Sequence, residues 1–118
     1  MTHFVDLIRQ AGENTGQGAL WGFESQDLDV TLVAWNKGEG VAEHTNDEVD
    51  VIMIVIEGRA LVALHDKDQQ LMQGQLLIIR KGCSRRIEAL TDRVVYLNVH
   101  QRRKPMSLTD IENFPGRD

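Results

Sequence analysis

The chain has 118 residues, 42% of them hydrophobic and 26% charged, with a formal net charge of −5. That length fits one domain, the composition is globular rather than disordered, and the acidic balance argues against a nucleic-acid partner. A single cysteine, Cys83, excludes an internal disulfide, and no apolar run reaches the ~18 residues of a membrane span.

In chain order, Phe4 to Gln10 is compatible with one helical turn or a short strand, and the pattern does not choose between them. Leu28 to Trp35 opens on an apolar/polar alternation and predicts a half-buried strand, followed by a turn over Asn36-Lys37-Gly38-Glu39-Gly40. Val49 to Ile56 is apolar at every position except Asp50, the pattern of a strand buried on both faces. Glu57-Gly58 turns into a strand over Arg59 to His65, and Asp66-Lys67-Asp68 turns into another over Gln69 to Gln73. Leu76 to Ile79, Arg85 to Ala89 and Val94 to His100 complete the set. Near the end, Thr109-Asp110-Ile111-Glu112 has capping-box spacing and predicts a short helix between Pro105 and Pro115. Turn signals this frequent indicate one antiparallel all-β domain, a sandwich or barrel spanning 1–118. Its core covers about 28–100, with an N-terminal arm over 1–27 and a C-terminal tail over 101–118.

Asp50 is the informative polar residue. A carboxylate among Val49, Val51, Ile52 and Ile54 is expected to be desolvated and therefore protonated, paired with a cation or bound to a metal; a wet position at the strand entrance is the alternative. His44, Asn46 and Glu48 share its parity, so along an extended segment all four side chains would project to one face. Tyr96, Asn98 and His100 likewise share a face. His65 reads as a turn residue and His3 as part of a free end. Trp21, Trp35 and Phe23 are assigned to core or dimer packing, and Cys83 to turn filling. The charges are segregated: residues 1–79 hold 4 of the 13 cations and 13 of the 18 anions. That asymmetry suits a solvated surface, an anionic small molecule or the association of two copies.

At these residues the chain resembles the cupin superfamily. The first cupin motif, Gly-x5-His-x-His-x3,4-Glu-x6-Gly, is matched here by Gly38, His44, Asn46, Asp50 and Gly58, with seven residues rather than six before Gly58. The second, Gly-x5-Pro-x-Gly-x2-His-x3-Asn, is matched by Gly74, Arg80, Gly82, Arg85 and Ala89. The resemblance implies a double-stranded β-helix (jelly-roll) barrel, commonly a homodimer, with its site in the barrel mouth. Only His44 keeps a metal-ligand identity, and Arg85 occupies the second-motif histidine position. A guanidinium offers donors only and cannot ligate.

Three functions follow as expectations. The leading one is a cytoplasmic, small-molecule-binding cupin without a cofactor, holding a small polar, anionic ligand with His44, Asn46, Asp50, Arg85, Tyr96 and Asn98, and with Arg85 paired to Asp50. The alternative is a metal-dependent isomerase or dioxygenase. There iron, manganese, nickel or zinc sits on His44, Glu48, Asp50 and His100, and Glu48 or His100 moves a proton. The third is a dimeric structural or regulatory module. None involves a nucleic acid or a membrane.

Overall fold

A computed structural model describes residues 2–103. Within them one helix precedes nine strands: α1 (Leu7–Glu13), β1 (Gly18–Glu24), β2 (Leu28–Asn36), β3 (Gly40–Thr45), β4 (Val51–Glu57), β5 (Arg59–Leu64), β6 (Asp68–Met72), β7 (Leu76–Ile79), β8 (Ser84–Ala89) and β9 (Arg93–Gln101). They form two antiparallel sheets, five-stranded in the order β1-β2-β9-β4-β7 and four-stranded in the order β3-β8-β5-β6. The helix expected over Thr109–Glu112 lies outside the described residues. No helix among the described residues is long and apolar enough to cross a membrane.

The predicted strands stand within a residue or two of their expected limits. Two strands were not expected: β1, inside the supposed arm, and β3, directly after the turn that ends at Gly40. The ambiguous N-terminal segment resolves as α1. Its start is capped by Asp6, whose side chain accepts from the Arg9 amide at 3.1 Å.

The side-chain alternation of the strands sorts the apolar residues into two layers. Val33, Met53, Val55, Val62, Leu71, Ile87, Val94 and Tyr96 come from both sheets and fill the space between them. Leu32, Ala34, Val95 and Leu97 face the other way and, with Ala11 of α1, cover the outside of the five-stranded sheet. β9 is central and therefore apolar on both faces, as the run Val94-Val95-Tyr96-Leu97 shows.

The motif glycines are conformational necessities. Gly58 turns at φ +78°, and a Cβ there would lie 2.1 Å from the Arg93 carbonyl oxygen. The extra residue before Gly58 is absorbed by a bulge, because the β4–β9 register shifts between Val55 and Glu57.

Candidate functional site

Inside the barrel, β9 presents Tyr96, Asn98 and His100 on one face, as their spacing predicts. Register stacks them in successive layers: Tyr96 lies between Val33 and Val55, Asn98 between Thr31 and Met53, and His100 between Asp29 and Val51. Asp29, Asn98 and His100 are buried. His100 Nδ1 lies 2.8 Å from the Gln101 carbonyl oxygen and so carries the hydrogen, leaving Nε2 facing Asp29 Oδ2 at 3.9 Å. On the facing sheet, Arg85 projects inward from β8, is only 1% exposed, and is the cross-strand partner of His44.

Asp50 is elsewhere, and the expectation that it is desolvated is corrected. β4 turns its odd-numbered residues inward, so Asp50, just before the strand, points out with its side chain 47% exposed. It accepts from the Lys81 amide at 2.8 Å and pairs with Arg80 at 3.4 Å. The Lys81 hydrogen bond, with the Arg80 and Lys81 charges behind it, holds its carboxyl below the usual aspartate range. Its counter-charge is therefore Arg80, not Arg85.

The shared-parity argument fails because residues 46–50 are not extended. Asn46 is buried and builds the turn between β3 and β4. Its Oδ1 accepts from the Glu48 and Val49 amides at 2.9 and 3.4 Å, and its Nδ2 donates to the Val49 carbonyl at 3.0 Å. Its amide thus positions the loop. Glu48 lies on the surface, 3.8 Å from Arg103. His44 stays half-buried, with Nδ1 2.9 Å from the Ala42 carbonyl oxygen.

A cavity of about 600 Å³ opens between β1 and β3, the edge strands of the two sheets. Its lining comes from Gly18, Ala19 and Gly22 on β1, Thr31, Val33 and Trp35 on β2, Gly40, Val41 and Ala42 on β3, and Tyr96 on β9. The volume has a simple origin. The inward positions of β1 opposite Val33 and Thr31 are Ala19 and Gly22, which carry almost no side chain, so the walls they face stay uncovered. The Trp35 indole is fixed there by a 2.9 Å hydrogen bond from Nε1 to the Tyr96 hydroxyl. Of the expected ligand residues only Tyr96 lines this cavity. Trp35, expected in core or dimer packing, supplies its walls together with Thr31 and Val33; their shared parity on β2 is the signal that finds them.

No protein-family model matches the chain, and no curated protein sequence matches it. Solved structures do. An uncharacterised conserved protein with a double-stranded β-helix domain from Klebsiella pneumoniae superposes with a TM-score of 0.74 over 89% of this chain and 88% of that one, at 15% identity. A cupin-2 domain containing protein from Shewanella frigidimarina gives 0.69 over 83% and 94%, at 19% identity. KdgF from Halomonas sp. gives 0.65 over 70% and 74%, at 20% identity. The chain has the cupin fold.

On this cupin fold the first- and second-motif positions do not assemble a metal-binding set. Asp50 and Glu48 are on the surface, Asn46 is committed to its turn, and Arg85 brings donors only. Among the described residues no three His, Cys, Asp or Glu side chains converge. The proposed ligands His44, Glu48, Asp50 and His100 therefore do not fit a metal ion. The cupin barrel instead offers an apolar side chamber beside a buried polar layer.

Proposed function

We propose that this cupin binds a small organic molecule in the cavity between β1 and β3. The observation that carries the reading is the cavity itself. Its volume lies in the range that small-molecule sites occupy, its walls are mostly carbon, and its few polar groups include the Thr31 and Tyr96 hydroxyls. The hydrogen bond from Trp35 to Tyr96 orders the indole before a ligand arrives, which lowers the entropy lost on binding. The support for an anionic ligand from an Asp50–Arg85 pair falls away, because Asp50 pairs with Arg80 outside the barrel. A metal-dependent isomerase or dioxygenase gains no support either, since its donors do not converge.

The homodimer stays part of this proposal. Leu76 and Ile78 on β7 and Leu28 on β2 are exposed on the outer face of the five-stranded sheet. Acidic Asp27 and basic Arg80 both border that face, so a two-fold axis can set one against the other, and a second copy of this chain is its occupant.

A thermal-shift panel of small metabolites tests the binding reading. A true ligand at a hundred times its Kd adds about 2.7 kcal/mol of stability and raises Tm by several degrees. A Trp35→Ala variant is expected to lose that rise. A panel in which no compound moves Tm contradicts the reading.

A further inference from the structure

The cavity also constrains the charge and shape of what it holds; this inference rests on the binding reading above and narrows it. Among the described residues no carboxylate, imidazole, ammonium or guanidinium lines the chamber. Arg85, Asp29 and His100 are buried in the barrel, but none of them forms part of its wall. An ion seated against these walls would give up part of its hydration and meet no opposite charge from them, which disfavours it relative to a neutral guest. A neutral guest loses little and gains contact with Val33, Val41 and the fixed indole of Trp35.

Shape follows from the lips. The residues that β1 and β3 bring to the lining include Ala19 and Gly22 on one side and Gly40 and Ala42 on the other, so along these edge strands much of the wall is backbone and single methyl groups. The large, ordered surfaces of the chamber are then the Trp35 indole and the Tyr96 ring that it is hydrogen-bonded to. Aromatic rings pack favourably against one another with specific offset or edge-on geometry, whereas a flexible alkyl chain loses rotational freedom on entering. The Thr31 hydroxyl donates to Asp29 Oδ1 at 3.5 Å, at the boundary with the polar layer, and so is left to accept a hydrogen bond from a ligand hydroxyl.

We propose that the ligand is an uncharged aromatic molecule carrying a hydroxyl group, and that Gly22 sets its size limit. Gly22 has no positive φ, and a Cβ there would meet nothing closer than the Val30 carbonyl oxygen at 3.6 Å. A larger side chain at this position therefore fills the chamber rather than distorting β1.

The test is calorimetric titration with four probes: 2-naphthalenemethanol, 2-naphthoate, 2-naphthylmethylammonium and decanol. The alcohol of the aromatic series is expected to bind at least tenfold more tightly than the carboxylate, the ammonium or decanol. Gly22→Leu is expected to weaken it at least tenfold while the far-ultraviolet spectrum and Tm stay at wild-type values. If Gly22→Leu lowers Tm, Ala19→Leu replaces it, with the same expected loss of affinity. Preference for naphthoate overturns the neutral-ligand inference and points to Arg85, leaving the binding reading intact. Equal or tighter binding of decanol overturns the aromatic part in the same way, and undiminished binding to the Gly22→Leu and Ala19→Leu variants overturns the size limit. If none of the four probes binds, the inference fails; if the wider metabolite panel is also silent, the binding reading fails with it.

Discussion

Asp50 shows how one side chain's direction decides a functional reading. Its carboxylate is ionised and hydrogen-bonded at the surface, with a pKa lowered first by the Lys81 amide and then by Arg80. A depressed carboxyl pKa means that the folded state binds the proton less readily than the unfolded chain. The stabilisation is thus complete above the ordinary aspartate pKa of about 3.9 and is lost as pH falls through the lower folded value. Asp50→Asn is accordingly expected to flatten the acid limb of the stability–pH curve below pH ~4, measured by urea denaturation at stepped pH, and to leave ligand affinity unchanged. A loss of affinity would put Asp50 back in the site.

At the scale of elements, the turn made by Asn46 sets where β3 ends and β4 begins. It satisfies two amides and one carbonyl of residues 48 and 49 within a buried loop, and its own carbonyl accepts from the Gly82 amide at 2.7 Å. Asn46→Ala leaves those buried groups unmatched and is expected to cost roughly 1–3 kcal/mol of stability, read by chemical denaturation. An unchanged midpoint would mean that water replaces the amide and that the loop does not depend on it.

The same turn explains what could be read from the sequence and what could not. The strands rich in Val, Ile and Leu were legible because their periodicity and bounding glycines are local properties. β1 and β3 were not. Gly18-Ala19-Leu20-Trp21-Gly22 and Gly40-Val41-Ala42-Glu43-His44 have little β-propensity, and they are strands because β2 and β8 offer them partners. Those two strands also form the lips of the cavity. The barrel was therefore readable, while its opening lay in the segments whose structure is set by tertiary pairing. Extending a period-two pattern through residues 46–50 placed Asp50 and Glu48 on the wrong face, since parity carries no information across a turn. Tyr96, Asn98 and His100 lie on one unbroken strand, and there parity held.

For the whole molecule, part of the charge segregated along the chain is met by ion pairs within one copy. Arg80 pairs with Asp50, Arg93 with Glu57, Arg102 with Glu24 and Arg103 with Glu48, each joining a cation of the last third to an acid of the first half. The Arg80–Asp50 and Arg102–Glu24 pairs are exposed on both sides and contribute between nothing and about 1 kcal/mol each, whereas Arg93 and Arg103 keep their guanidinium groups largely covered. What remains for function is the uncharged chamber, and its central element is Trp35. In a Trp21→Phe background the indole N–H resonance of Trp35 can be followed alone while a stabilising compound is titrated. A saturable shift of that resonance, at the concentrations that raise Tm, is the predicted result. Full thermal stabilisation with the Trp35 resonance unmoved would place the ligand elsewhere and contradict the account.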